Sequence, residues 1–110
     1  MSTVTYSVTA TFASPETCDR YIEWLMGGHC RAVIEGGALR ADIARLDFDP
    51  TSAGTPAGHR VQVRYVFASR RTLDRYVREV APALRAEGVA LWGTLATFER
   101  TVGDVVGTIE

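Results

Sequence analysis

The residues best suited to chemistry lie in one short stretch, WLMGGHCRAVIEGG, which runs from Trp24 to Gly37. It places His29 beside Cys30, directly after two glycines. An imidazole with a pKa near neutrality can act as an acid, a base or a ligand, so His29 is the candidate catalytic residue. We expect it just beyond a helix C-terminus, where the helix macrodipole favours the protonated form. The alternative is that His29 only caps carbonyls of a frayed helix end.

The cysteines and the second histidine predict no further chemistry. Adjacent side chains rarely point at each other, and a helix C-terminus disfavours a thiolate, so Cys30 is a poor nucleophile beside His29. The four potential zinc ligands, Cys18, His29, Cys30 and His59, have none of the spacings of a zinc site. Both glycine pairs follow helical segments, whereas a phosphate-binding glycine loop leads from a strand into a helix. We therefore predict no metal and no cofactor.

Aromatic residues form the second candidate group. Tyr6 and Tyr65 fall on strand faces that should meet the helices, and Tyr76 projects from a helix toward the same core. Several phenols in one small core need hydrogen-bond partners, which a cavity with water or a ligand would supply. Trp24 flanks its helix stripe and is expected at the lip of a pocket or at a half-buried edge. The candidate ligand-binding residues are therefore Tyr6, Trp24, Tyr65 and Tyr76; the alternative is core packing with the hydroxyls at the rim.

Two arginines, Arg64 and Arg100, lie in predicted strands. A guanidinium there can bind a carboxylate ligand with two parallel hydrogen bonds. Pairing across strands with Glu99 or Asp42 is the simpler explanation, and it is the one that we expect.

Strict alternation of apolar and polar residues from Thr3 to Phe12 predicts a half-buried strand. Three further strands are predicted over residues 38–48, 60–68 and 93–102. The alternation of the second strand is imperfect, so we expect a β-bulge near Ala44 and Arg45. The intervening segment 49–58 is rich in turn-forming residues and is predicted to be a mobile hairpin loop.

Two helices are predicted between these strands. The first begins at Ser14, whose hydroxyl can cap free amides, and ends at Gly27-Gly28 before one more short turn. The second begins at Ser69, and its apolar stripe is Leu73, Tyr76, Val77, Val80 and Leu84. Pro82 lacks an amide hydrogen, so we expect a kink or a restart there. Gly88 is predicted to close this helix.

The order strand, helix, strand, strand, helix, strand predicts an α+β fold. With right-handed crossovers it gives a four-stranded antiparallel sheet with both helices on one face, which is the ferredoxin-like βαββαβ arrangement. The chain is predicted to form a single domain, residues 1–110. The helix-free face is too mixed for a solvent face, so we expect a homodimer through it. That contact would bury Val66 and Leu95 and pair Arg64 with Glu99.

Composition excludes several classes of partner. The net charge is −1 and all twelve cationic residues are arginine, so no overall charge attracts nucleic acid or an anionic membrane. No run approaches the roughly 20 apolar residues that span a bilayer, and the first residues lack the basic region of a signal peptide. We expect no nucleic-acid partner, no membrane partner and a cytoplasmic location.

Several motifs together resemble the DUF4286 family, bacterial proteins of unknown function. They are Tyr6, Val8, YIEWL (21–25), His29, VIEGG (33–37), VRYVFASRRTLDRYV (63–77) and APALRAEG (81–88). The resemblance implies the dimeric α/β-barrel type of ferredoxin-like fold, and it implies no particular activity. The family often has proline where this chain has Arg31, and Cys30 is not one of its hallmarks, so the resemblance implies no special role for Cys30.

Two function hypotheses follow. The first is a homodimeric small-molecule-binding domain with a pocket between sheet and helices for a small apolar or aromatic ligand. It includes a cofactor-independent enzyme of isomerase, cyclase or monooxygenase type in which His29 handles a proton, as fold analogy suggests. The alternative is a non-catalytic structural or protein-interaction module with a solid core. Haem binding through His29 is a third, minor alternative. A cavity near His29 distinguishes the first hypothesis from the second.

Overall fold

The computed structural model of the chain describes residues 2–47, 51 and 58–110. Its strands are β1 (Val4–Phe12), β2 (Arg40–Leu46), β3 (His59–Phe67) and β4 (Ala96–Asp104). They form one sheet in the order β2-β3-β1-β4, and each neighbouring pair is antiparallel. Helices connect β1 to β2 and β3 to β4. The predicted ferredoxin-like arrangement is confirmed.

The first helical region consists of α1 (Pro15–Trp24) and α2 (Cys30–Glu35), joined by a π-helical turn over Leu25–His29. The hydroxyl of Ser14 accepts a hydrogen bond from the Thr17 amide at 3.2 Å, which caps α1 as predicted. The prediction that helical structure stops at Gly27-Gly28 is wrong. The amide of Cys30 donates to the Leu25 carbonyl, so hydrogen bonding continues through the turn. The direction changes at Gly28, whose φ of 158° and ψ of −26° are not helical.

The second helical region consists of α3 (Arg70–Glu79) and α4 (Ala81–Trp92). The predicted restart is present, since the φ of Val80 is −114° and Pro82 lies in the first turn of α4. The prediction that Gly88 closes this helix is wrong. One glycine costs a helix only about 1 kcal/mol relative to alanine, and α4 continues to Trp92, which is buried.

The pairing of β2 with β3 is regular. It runs without interruption from Arg40 opposite Val66 to Leu46 opposite Arg60, so the predicted bulge is absent from the described strand. Arg45 instead lies on the helix side of the sheet, where it pairs with Asp19 of α1. The alternation of apolar and polar residues in this strand is imperfect because the charged Arg45 occupies a helix-facing position. Of the predicted hairpin loop, residues 49, 50 and 52–57 lie outside the described residues.

The core lies between the helices and one face of the sheet. It contains the alternate residues of β1 and β3 together with the inner faces of α1 and α3, among them Val4, Phe12, Val61, Val63, Phe67, Cys18 and Leu73. The opposite sheet face, which we call the open face, carries no helix and includes Thr5, Ser7, Thr9, Gln62, Arg64 and Val66.

Two residues do not lie where the sequence predicts them. Leu95, predicted on the open face, lies in the turn before β4, and Val77, predicted in the core stripe, is 41% exposed. None of the described helices is long and apolar enough to cross a membrane.

Candidate functional site

A cavity of about 130 Å³ lies between the helix side of the sheet and the helices. All five predicted site residues line it: Tyr6, Trp24, His29, Tyr65 and Tyr76. Each comes from a different element, namely β1, α1, the π-helical turn, β3 and α3. Their roles in binding or catalysis stay predictions. An engineered apolar cavity of about 150 Å³ binds benzene, so the volume here fits one aromatic ring.

His29 is held at the wall of the cavity by an aromatic neighbour. Its ring stacks on Trp24, with ring centroids 4.1 Å apart and ring planes 21° apart. Its Nδ1 is buried and has no hydrogen-bond partner among the described residues. Within that part of the chain the side chain makes no hydrogen bond to a helix carbonyl, so the capping alternative lacks its contact.

Burial lowers the pKa of His29, and the nearby Glu87 carboxylate opposes this effect. The expectation that a helix macrodipole favours the protonated imidazole is therefore wrong. The physical reason is that α1 continues through the π-helical turn into α2, so His29 does not lie beyond a free helix end. A neutral imidazole at pH 7 can accept a proton.

Tyr65 and Tyr76 present phenols that stay protonated. Tyr6 packs against Tyr65 and Tyr76, with ring centroids 6.1 and 6.3 Å apart. Burial raises the pKa of Tyr76 to about 12. Burial also raises the pKa of Tyr65, an effect reinforced by Cys30, whose Sγ lies 3.5 Å from the Tyr65 hydroxyl. Burial raises the pKa of Cys30 itself, so this thiol stays protonated and is a hydrogen-bond partner of Tyr65.

Three aromatic residues of the cavity were not among the predicted site residues: Tyr21, Trp92 and Phe98. Trp92 packs edge-on against Tyr21, with ring centroids 5.5 Å apart, and lies 5.9 Å from Trp24. Trp92 was missed because the second predicted helix was expected to end at Gly88. The available signal was helical spacing, since Leu84, Gly88 and Trp92 follow one another at intervals of four residues and all line the cavity.

The charged residues of the cavity lining are Arg85 on α4 and Arg100 on β4. Both are exposed, as is Val89 beside them, so the mouth of the cavity lies between α4 and β4. The Arg100 guanidinium carbon lies 5.8 Å from the centroid of the Phe98 ring. The expected pairing of Arg100 with Glu99 or Asp42 is not found among the described residues, where Asp42 instead pairs with Arg40 at 3.5 Å.

The four potential zinc ligands are not brought together. Cys18 and His59 border a surface pocket with Arg45, whereas His29 lines the cavity and the Cys30 Sγ lies 3.5 Å from the Tyr65 hydroxyl. Over residues 2–47, 51 and 58–110, no three His, Cys, Asp or Glu side chains are grouped in a way that could hold a metal ion.

A family model described as "Domain of unknown function (DUF4286)" matches residues 3–106. The chain belongs to the DUF4286 family. The resemblance found in the sequence motifs is thereby confirmed, and the DUF4286 description assigns no activity. A search among curated proteins finds no significant match.

Solved structures share the fold of this DUF4286 chain over nearly its whole length. A dimeric ferredoxin-like protein from an uncultured marine organism has a TM-score of 0.66 at 16% identity, covering 99% of this chain and 100% of that one. SnoaB, a cofactor-independent oxygenase from Streptomyces nogalater, has 0.68 at 15%, covering 97% and 96%. The ActVA-Orf6 monooxygenase of Streptomyces coelicolor, solved with nanaomycin D, has 0.69 at 18%, covering 99% and 92%. At these identities the likeness shows the fold alone.

Proposed function

We propose that this protein binds a small planar aromatic molecule in the cavity between sheet and helices, and that it works as a homodimer. The observation that carries the proposal is the cavity of about 130 Å³ with His29 in its wall. The alternative of a structural module requires a solid core, which this cavity disfavours.

The wall of the cavity favours a flat, ring-containing ligand. Aromatic rings prefer offset-stacked or edge-to-face neighbours at centroid separations of about 4.5–7 Å. Tyr6, Tyr65 and Tyr76 offer ring faces from the sheet side and α3, and Trp24 and Trp92 offer them from α1 and α4. A ligand ring between these two groups would meet aromatic surface on both sides.

The polar groups of the wall suit proton transfer without a cofactor. His29, a neutral imidazole, would accept a proton from an acidic C–H or O–H of the ligand. The protonated hydroxyls of Tyr65 and Tyr76 would donate hydrogen bonds to the negative charge that develops on the ligand. SnoaB and the ActVA-Orf6 protein, which share this fold, are described as a cofactor-independent oxygenase and a monooxygenase. That analogy supports a cofactor-independent enzyme without choosing the reaction.

The open face of the sheet supports the homodimer. Its half-buried residues include Thr5, Thr9, Gln62 and Val66, and none of the described helices covers them. The same face of a second copy would cover them with a matching surface. A structural neighbour of this chain is described as a dimeric ferredoxin-like protein. Sedimentation at micromolar concentration tests this part, and a monomer would contradict it.

Nuclear magnetic resonance of the two tryptophan indoles tests the binding site. The chain has two tryptophans, and both line the cavity, so both indole N–H signals report on its contents. Benzyl alcohol is a suitable uncharged single-ring probe. We expect it to shift both signals in the 15N-labelled protein, with saturation at millimolar concentration or below.

A matched pair of variants shows where the probe binds. Gly88 lines the cavity, and a Cβ added there would meet Trp24 at 3.6 Å, so Gly88→Leu fills space beside that ring. Ala86 lies on the same helix and is exposed, so Ala86→Leu is the control. We expect Gly88→Leu to weaken benzyl alcohol binding and Ala86→Leu to leave it unchanged. Equal binding by both variants, or no shift in the unmodified protein, would contradict the proposed site.

A further inference from the structure

The mouth of the cavity carries unpaired positive charge. Arg85 and Arg100 line the cavity from two different elements, α4 and β4. In the described part of the chain, Arg40, Arg45, Arg70 and Arg75 have carboxylate partners within 4 Å. Neither Arg85 nor Arg100 has one there. Their hydrogen-bond donors are free to bind a ligand.

No carboxylate balances these charges inside the cavity. Among the described residues, its lining contains aromatic, aliphatic and glycine residues, His29 and the two arginines, and no aspartate or glutamate. The acidic residue Glu87 lines a neighbouring surface pocket together with Trp24 and His29. A cationic ligand would therefore meet repulsion at the mouth, whereas an anion would meet two compensating charges.

The field of both arginines reaches into the cavity. Arg85 and Arg100 each lower the pKa of Tyr76, against the larger opposing effect of burial, and Arg100 also lowers that of Tyr21. Both guanidinium groups thus favour negative charge placed near these phenol oxygens of the cavity wall. Arg100 also lies against the face of Phe98, which limits where its guanidinium can go.

Resting on the proposed function, we propose that the ligand is an aromatic carboxylate, with its ring in the cavity and its carboxylate bound by Arg85 and Arg100. The planar guanidinium suits this role because it binds a carboxylate through two parallel N–H bonds. The ring would reach the wall near His29 while the charged group stays in the solvent-exposed mouth, so the carboxylate keeps much of its hydration. The arginines would then select the ligand and set its orientation.

Three probes that share one ring test this inference: benzoate, benzyl alcohol and benzylamine. In the unmodified protein at low salt we expect benzoate to bind about tenfold more tightly than benzyl alcohol, since its carboxylate would form charge-assisted hydrogen bonds with the guanidinium groups. Benzylamine, which is cationic at pH 7, should bind more weakly than benzyl alcohol. The preference for benzoate should decrease as salt is added, because both arginines are exposed.

The variants Arg85→Gln and Arg100→Gln, alone and combined, identify the groups responsible. Arg71→Gln is the matched control, because Arg71 is exposed and does not line the cavity. We expect the double variant to lose the preference for benzoate, while Arg71→Gln keeps it. Benzyl alcohol binding is measured in each of the four variants, so that the preference for benzoate is expressed relative to it, and the melting temperature should not change in any of them.

The possible failures are distinguishable. If benzyl alcohol shifts the indole signals but benzoate binds no more tightly, the proposed cavity stands and the carboxylate inference is wrong. The inference is also wrong if the double variant retains the preference. If neither probe shifts the signals, the proposed function itself fails.

Discussion

The two helical regions of this protein are both interrupted, and the interruptions differ. Between α1 and α2 the chain passes through glycines in a π-helical turn, and a Cβ added at Gly27 or Gly28 would meet nothing within 4 Å. Between α3 and α4 it changes direction at Val80, before Pro82, and Val80 packs within 2.8 Å of the position that a Gly36 Cβ would occupy. We call these the glycine break and the proline break.

The comparison shows how the cavity is assembled. The proline break is packed, and it lets α4 carry Leu84, Arg85 and Trp92 to the cavity at helical spacing. The glycine break is open on its outer side, and it brings His29 against Trp24. The proline break therefore positions the aromatic wall and the mouth of the cavity, and the glycine break positions His29. Substitutions in the proline break and the helix that follows it should therefore change the free energy of unfolding more than substitutions in the glycine break.

The largest effect is expected at the end of the helix that follows the proline break. Trp92→Ala removes a ring that is 8% exposed and contacts Phe12, Tyr21 and Trp24. Loss of a buried aromatic side chain costs about 3–5 kcal/mol. Urea unfolding measures the free energy. Leu91→Ala is the control, since Leu91 is 50% exposed, and it should change the free energy of unfolding by about 0.5 kcal/mol or less. Equal losses would show that Trp92 is not part of the core.

The packing of the proline break itself can be tested at Gly36, which lies against Val80. The φ of Gly36 is −80°, which alanine adopts readily, so a substitution there acts through packing. The new Cβ would lie 2.8 Å from Val80 Cγ1 and 3.1 Å from the Tyr76 ring. Overpacking typically costs about 1–3 kcal/mol. We expect Gly36→Ala to lower the free energy of unfolding by that amount, and the double variant Gly36→Ala, Val80→Ala to recover part of it. Without such recovery, Val80 would not be the residue that the new methyl group meets.

The glycine break offers two adjacent positions with opposite expectations. Gly28 has a φ of 158°, which side chains rarely adopt, whereas Gly27 is not among the glycines of positive φ. Gly28→Ala should therefore destabilise the protein by about 1 kcal/mol or more through backbone strain. Gly27→Ala should stabilise it by about 0.4–1 kcal/mol, because alanine restricts the unfolded chain and has room in the folded one. Thermal unfolding of the pair checks both signs, and destabilisation by both variants would show that the outer side of this break is not open.

Much of the fold was predictable because its signals are local. Alternation placed the strands within a few residues, and Ser14 and Ser69 capped the helices as expected. The same alternation put Tyr6 and Tyr65 on the inner face, which is why the predicted site residues meet at one cavity. Trp92 was missed with the misplaced end at Gly88, because a glycine weakens a helix without always ending it. The prediction that His29 is protonated was wrong because hydrophobic periodicity does not reveal a π-helical turn.

The smallest expected effect is the dependence of the glycine break on pH. His29 belongs to this break, whereas Val80, Ala81 and Pro82 of the proline break do not titrate. Burial lowers the pKa of His29 in the folded protein, so the unfolded chain binds its proton first as the pH falls. The stability contributed by the neutral imidazole is therefore present above the ordinary histidine pKa of about 6.5 and is lost as the pH falls below it.

We expect the urea midpoint of the unmodified protein to decrease between pH 7.5 and pH 5, and His29→Gln to reduce that decrease. His59→Gln is the control, because His59 is exposed at the start of β3, and it should leave the decrease unchanged. A bound aromatic carboxylate would oppose this effect. Its negative charge near the imidazole favours the protonated form, so saturating benzoate should raise the pKa of His29 and reduce the loss of stability on acidification. Benzyl alcohol, which fills the same cavity without charge, should not reduce it. If both ligands act alike, the carboxylate does not reach the field of His29, and the glycine break senses occupancy of the cavity rather than the charge of the ligand.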